Sequence, residues 1–369
     1  MHLEENYSKL LFSDKTTEST SVVKIEAAKS SKFIPPTKYG SLDFPLADTA
    51  YPVDDMSYSE LTVEKLSDIV ILPNHIVLNS SDSSILPYTF MRNRLHHHGG
   101  LALQKDGSYE SKFDLKDKDI VKVDYPLYHA DTDHPDVYGH VLLEVIPNLW
   151  AQDLITDKGM KIATSIKLSP GYLAMFDALG VKPERIERIL GPTYSPTVFL
   201  PSKTIQRRRF INPLARNTFD RIKNNLSYKS RIMPYERVYI SRSKVNGRKL
   251  LNEKLVEDLF YSLGFEIIHP QELSIYDQVK LFSEAKYIAG SGGSAMHNTL
   301  FSNEECKVLI ISSIGWVVVA DSLICQVPDQ LAYVFGAPDI MPSNTHRTQK
   351  DWTVNISEVK DAIKNHFGL

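Results

Sequence analysis

The sequence predicts an α/β protein. Three observations lead there: the second half alternates short apolar runs with amphipathic segments, the links between them are brief, and a glycine-rich turn closes one apolar run. Strand, helix, strand units on short links imply a parallel sheet with right-handed crossovers, hence a Rossmann-like domain. The chain of 369 residues is long enough for two domains. With 42% hydrophobic and 24% charged residues it has an ordinary globular composition, which excludes wholesale disorder.

Taken in order, residues 1–40 read as an N-terminal arm. Met1 to Phe12 carries acids where a signal peptide needs cations and has no apolar core, and residues 13–32 are polar without a sustained period. From Ile69 to Phe113 short apolar runs are broken by turn clusters at Asn79 to Ser84 and His98 to Gly100, which predicts a β-rich subregion. His96, His97 and His98 point to alternating faces if the run is a strand, so they read as structural or exposed and not as metal ligands. Asp136 to Leu154 turns helical, with Val141, Val145 and Leu149 on one face and Pro147 as the expected break. Residues 161–201 then alternate strand-like runs with a helix over Gly171 to Leu179. Together these give an N-terminal α/β domain over 41–215.

The second domain spans 216–345. Val238 to Ser241 is a strand, Asn252 caps a helix striped with Leu255, Val256, Leu259, Phe260 and Leu263, and Gly264 ends it. Phe265 to Ile268 is the next strand, and Ser274 with Asp277 opens a helix to Ala285. A third strand at Tyr287 to Ala289 runs into Gly290-Ser291-Gly292-Gly293-Ser294, followed by a short helix to Phe301 and a fourth strand at Lys307 to Ile311. Over 346–369, Ile356, Val359, Ile363 and Phe367 mark one face of a closing helix.

The chemistry gathers at strand ends. A strand entering a helix through glycines leaves backbone N–H groups unpaired where an anion can sit. Ser241-Arg242-Ser243-Lys244 follows another strand, with Arg248 and Lys249 close behind, and guanidinium forks suit diphosphates. Two such strand ends in one sheet could converge on one pyrophosphate. Around them lies an asymmetry of charge: 14 Lys and Arg against Asp220 and Glu236 between Lys203 and Lys249, in a chain of net charge −3. That stretch suits a phosphorylated donor, an anionic or lipid-linked glycan, or a peripheral membrane contact; its sparse aromatics speak against nucleic acid. A solvated interdomain segment is the plain alternative.

In the first half, His140 and Glu144 are four apart and share a helix face, the arrangement of a general base with its orienting carboxylate. Asp131, Asp133 and Asp136 surround His134; a divalent ion is conceivable there, and an acidic loop is the simpler reading. Cys306 and Cys325 are too few for a disulfide framework and read as buried thiols in a reducing compartment. No run approaches the roughly 18 apolar residues that span a bilayer. The expected location is therefore cytoplasmic, with any contact at the inner face of the membrane peripheral.

Several ordered motifs carry a resemblance. Tyr138-Gly139-His140-Val141-Leu142-Leu143-Glu144-Val145-Ile146-Pro147-Asn148-Leu149-Trp150, Tyr239-Ile240-Ser241-Arg242, Leu251-Asn252-Glu253, Phe265 to Phe282 and Gly290 to Phe301 resemble the signature segments of glycosyltransferase family 61. The resemblance runs from about residue 120 to 340. It implies a GT-B architecture of two Rossmann-like domains facing a cleft, the first holding the β-rich N-terminal subregion, and an inverting, metal-independent enzyme without a cofactor. It also implies a donor site made of Ser241, Arg242, Lys244, Glu272, Gln278, Gly290, Ser291, Gly292, Gly293, Ser294, Ala295 and Asn298, with His140 and Glu144 catalytic.

The chain departs from the family where Gly292 replaces a histidine and His297 stands at a threonine position. His297 is thus a candidate substitute for the missing side chain. The expected activity is transfer of a sugar, hexosyl or pentosyl, from a nucleotide diphosphate sugar (UDP-linked by expectation) to a bacterial surface or capsular polysaccharide or its lipid-linked precursor. The alternatives are a sugar-nucleotide epimerase of similar architecture and a non-catalytic glycan- or membrane-binding scaffold.

Overall fold

The computed structural model describes residues 19–25, 30–40, 56–58, 60–86, 100–339 and 350–369. The triple histidine at 96–98 and most of the expected N-terminal arm lie outside the described residues. The chain divides into two compact units, one from Met1–Ala27 and Ser59–Ile205, the other from Ala28–Tyr58 and Gln206–Leu369.

The first unit is built on a mixed sheet. Its strands are β1 (Ser19–Ile25), β2 (Leu61–Leu72), β3 (Ile76–Asn79), β4 (Leu127–His129), β5 (Lys161–Thr164), β6 (Ile186–Arg188) and β7 (Thr193–Pro201). Across the sheet the order is β1-β2-β7-β4-β5-β6, with β7, β4, β5 and β6 parallel and the β1 and β2 edge antiparallel. The polar composition of residues 13–32 hid β1. An edge strand is held by backbone pairing with Leu61 to Leu66 and needs little apolar surface, so hydropathy does not reveal it. Likewise β2 begins at Leu61, earlier than the apolar run implies, because Glu64, Lys65, Ser67 and Asp68 interrupt its pattern. Beneath it Leu66, Ile69, Ile71, Val77, Leu127, Ala163 and Val198 form one buried cluster.

The second unit carries the parallel sheet that the alternating pattern predicts. Its strands are β8 (Arg237–Ile240), β9 (Glu266–Ile268), β10 (Tyr287–Ser291), β11 (Lys307–Ser313) and β12 (Leu331–Pro338), in the order β9-β8-β10-β11-β12 and all parallel. Numbered within the unit this is 2-1-3-4-5, a doubly wound order whose switch point lies between β8 and β10. The strands are short, almost wholly apolar runs, as strands buried on both faces must be. Tyr239, Ala289, Leu309, Val334, Phe260 and Phe265 share the core.

Two details of the second unit differ from the sequence reading. Asn252 stands at the start of helix Glu253–Ser262 but makes no side-chain cap. Its amide instead donates to Val354 O (2.8 Å) and its carbonyl accepts from Val354 N (3.2 Å), tying the helix start to the C-terminal segment. Leu255, placed on the apolar stripe by spacing, is exposed, while Val256 and Phe260 face the core. The basic stretch is no loose linker, because much of it is helix Pro213–Leu226, with Ala215, Phe219, Ile222 and Leu226 buried. The closing helix Ile356–Ala362, extended by a wide turn through Phe367, buries Val359, Ile363 and Phe367 as its periodicity predicts. Cys306 and Cys325 are buried free thiols. Among the described residues no helix is long and apolar enough to cross a membrane.

Candidate active site

In a doubly wound sheet, ligands bind outside the carboxyl ends of the strands at the switch point. In the second unit those ends are Ile240, followed by Ser241 and Arg242, and Ser291, followed by Gly292 and Gly293. Two glycines are required by close approach. A Cβ on Gly290 would lie 2.7 Å from Ile240 O and 2.8 Å from Ile240 Cβ, so only glycine lets the strands run this close. A Cβ on Gly293 would collide with the Arg242 guanidinium, whose Cζ would be 3.2 Å away. The structure therefore brings together the cationic and the glycine-rich strand ends.

The short helix expected after the turn is a 3-10 segment, Ser294–Phe301. Gly292 N–H is used on Ile311 O (2.8 Å). The N–H groups of Gly293, Ser294 and Ala295 take no acceptor among the described residues, which leaves three donors beside a guanidinium. Burial pushes the Arg242 guanidinium down from its usual range while the charge of Glu253 holds it up.

Glu253 is what positions these groups, and sequence reasoning missed it. Its Oε1 accepts from Arg242 N (2.8 Å), Ser291 Oγ (2.9 Å) and Tyr239 Oη (3.3 Å), so one buried carboxylate oxygen joins the ends of β8 and β10. Burial pushes its carboxyl up, against the hydrogen bond from Arg242 and that from Ser291. The Leu251-Asn252-Glu253 motif marked a helix start; an acid in a first turn ordinarily reads as a response to the helix dipole. Ser241 Oγ likewise donates to Glu257 Oε1 (2.6 Å) on the same helix.

The other donor-site candidates separate into two groups. Asn298 Nδ2 donates to Gln278 Oε1 (3.0 Å), and Gln278 Nε2 donates to Pro270 O (2.9 Å), so this pair braces the turn against helix Ile275–Glu284. Lys244 and Glu272 form an exposed ion pair at 2.7 Å, away from the buried network. His297 is buried, with Nδ1 2.7 Å from Asp321 Oδ1. It is spent on an interior pair and does not stand in for the histidine that Gly292 lacks.

In the first unit the switch point falls between β4 and β7, and the chain leaving β4 carries Asp131, Thr132, Asp133 and His134 into the segment with His140. That segment starts as a helical turn, Tyr138–His140, widens over Val141–Val145, and tightens to 3-10 geometry at Pro147–Leu154, where proline ends the regular hydrogen bonding. Tyr128 Oη donates to Asn148 O (2.6 Å) and Trp150 Nε1 to Ser202 O (3.0 Å), anchoring it on the strand ends. His140 and Glu144 do share a face: Nδ1 lies 3.3 Å from Glu144 Oε2 and 3.5 Å from Asp133 Oδ1. Thr132 Oγ1 donates to the same Glu144 oxygen.

The acidic loop sorts itself differently from its spacing. Asp131 is buried, accepting from Ser165 N (3.0 Å), Ser165 Oγ and His75 N (3.1 Å), whereas Asp136 is exposed. Burial pushes the Asp131 carboxyl up to about 6. The groups that could share an ion are Asp133, His134 and His140, whose ligand atoms lie within 4.8 Å of one another. Each histidine would have to be neutral to ligate.

Comparison with curated proteins finds no match. Residues 138–309, which run from the His140 segment through Arg242 and the Gly290 turn to β11, match the family model described as Glycosyltransferase 61, and this match supports a glycosyltransferase of that family.

Proposed function

We propose that the protein is an inverting glycosyltransferase that takes its sugar from a nucleotide diphosphate donor, UDP-linked in the first instance, and passes it to a surface or capsular polysaccharide or a lipid-linked glycan precursor of bacterial type. The observation that carries this reading is the Arg242 guanidinium packed against Gly293, beside three unpaired backbone donors at the switch point of a doubly wound sheet. Such a constellation stabilises negative charge that grows on a departing diphosphate. The basic stretch 203–249 suits an anionic acceptor or the membrane surface that carries it.

In this mechanism the acceptor hydroxyl attacks the anomeric carbon as its proton passes to His140 Nε2. The bond from that carbon to the diphosphate oxygen breaks, and its electron pair leaves with the diphosphate, facing Arg242 and the amides of Gly293 to Ala295. One displacement inverts the anomeric centre. Glu144 and Asp133, next to Nδ1, orient the ring and stabilise the imidazolium once the proton arrives. Arg242 supplies the positive charge that a metal ion provides in other transferases.

The test is a thermal-shift panel of UDP, GDP, CDP, TDP and CMP, followed by product analysis with the matching sugar nucleotide. Ligand at 100 times its dissociation constant adds roughly 2.7 kcal/mol. Selective stabilisation by one diphosphate and release of that diphosphate with a lengthened glycan support the reading. An isomerised sugar nucleotide points to an epimerase, and glycan binding without turnover to a scaffold. Activity that survives chelation supports metal independence; activity lost to chelation and restored by a divalent ion assigns Asp133, His134 and His140 to a metal.

A further inference from the structure

Arg248 holds a backbone conformation that arginine does not favour. Gly247 (φ +80) and Arg248 (φ +50) both sit in the left-handed region. Glycine adopts it freely, but at arginine the Cβ crowds the backbone and the conformation is strained. Strain of this kind persists where the side chain is put to use. The Arg248 guanidinium lies over the indole of Trp316, with Cζ 3.4 Å from the ring centroid. Stacking fixes the plane of the fork and leaves its edge to make hydrogen bonds, yet Nη1 is buried without a partner.

Arg248 also lines a small open depression with Gly292, Ser312, Ser313, Trp316 and Lys350, together with Trp352. None of these residues is acidic. Ser313 Oγ accepts from Gly315 N (3.1 Å), which leaves its hydroxyl hydrogen for a ligand. Gly292 keeps the floor open, because a Cβ there would lie 3.0 Å from Ser312 Oγ. Burial, with the charge of Arg242 added, pushes Arg248 down to about 10, so it remains cationic at neutral pH. Two like charges are thus held together, a costly arrangement that an anion relieves.

We propose that this depression is a second oxyanion subsite, in which Arg248 on its Trp316 platform, with Lys350 and Ser313, grips one phosphoryl group of a diphosphate while Arg242 and the amides of Gly293 to Ala295 grip the other. The ligand class rests on the donor reading above, but the test need not. Affinities of the full chain for inorganic pyrophosphate and inorganic phosphate are measured by calorimetry, with UDP and UMP, and UDP-glucose and UDP-glucuronate, as further pairs.

Wild type is expected to prefer pyrophosphate over phosphate by at least about tenfold, as an added charge-assisted fork should give. Arg248→Gly removes the fork and the backbone strain together. Its melting temperature should hold or rise, its pyrophosphate affinity should fall by about tenfold or more, and its phosphate affinity should stay within about threefold. Equal losses for both ions, or none, overturn the proposal. A selective loss of UDP-glucuronate relative to UDP-glucose, with the UDP to UMP ratio intact, also overturns it and makes the pocket a carboxylate site on the sugar. If Arg248→Gly does not fold, Trp316→Leu, which keeps the charge and removes the platform, must show the selective pyrophosphate loss. Pyrophosphate selectivity that depends on Arg248 while no nucleotide binds leaves the clamp standing and sinks the donor reading.

Discussion

The two units end their parallel strands in opposite chemistry. Beyond β8 and β10 stand guanidinium and bare amides, fixed by one buried carboxylate oxygen that reaches both strands. Beyond β4 stand imidazoles and carboxylates on a segment whose helical geometry changes twice within a few turns. The first arrangement has donors only and can do little with a proton, but it is set before any ligand arrives. The second has groups that titrate and side chains that share partners, which is what moving a proton requires. A transferase needs both tasks, stabilising a leaving group and activating a nucleophile, and the proposed function assigns them to separate sheets.

That division can be broken from either side. Arg242→Ala is expected to have the largest effect. It removes the charge that the proposed mechanism sets against the leaving oxygen, and kcat/KM should fall by about 10²–10³, with donor affinity falling too. His140→Ala should lower kcat by about 10² and leave the melting shift given by the nucleoside diphosphate intact. A variant within about threefold of wild type would remove His140 from the mechanism. If His140→Ala weakens the nucleotide shift as much as Arg242→Ala does, the two units do not divide the work in this way. Glu144→Gln keeps the size and the bond from Thr132 but loses the charge beside Nδ1. A fall of roughly tenfold in kcat is expected, because less negative charge then stabilises the imidazolium.

How far these sites were legible in the sequence follows from how local their causes are. Four strands of the second unit, β8 to β11, are short apolar runs between glycines and caps, so they read directly; β12, Leu331–Pro338, went unread. Arg242 and Gly290 stood out because each follows such a run within a residue or two. What brings them together, the 2-1-3-4-5 order and the contact of Glu253 with both strand ends, depends on residues far apart in the chain and leaves no local mark. Arg248 was visible as one charge among many. Its φ of +50 and its stacking on Trp316, 68 positions on, were not. In the first unit His140 and Glu144 were found by a spacing of four, which survives the widened turn. Asp131 and Asp136, assigned alike by proximity, proved to be one buried and one exposed, since only the path of the chain after β4 decides which carboxylate meets Ser165 and His75.

Asp131 supplies the smallest effect, on stability alone, and its sign is specific. Its carboxyl is pushed up to about 6 by burial, against an ordinary value near 4. The folded chain then holds the proton more tightly than the unfolded chain, so this group's contribution is full below about pH 4 and is lost as pH rises through about 6. Two units correspond to roughly 3 kcal/mol. His129, buried on the same strand end and pushed down to about 3, runs the other way: its contribution is full above about 6.5 and is lost as pH falls. The raw stability curve therefore mixes the two, and the useful quantity is wild type minus Asp131→Asn, in which His129 is common to both. Measured by urea unfolding, that difference should drop by roughly 3 kcal/mol between pH 4 and pH 7. A flat difference would mean that the donors at Ser165 and His75 hold the carboxylate as well as water does, and the end of β4 would then be a polar pocket with no titration of its own.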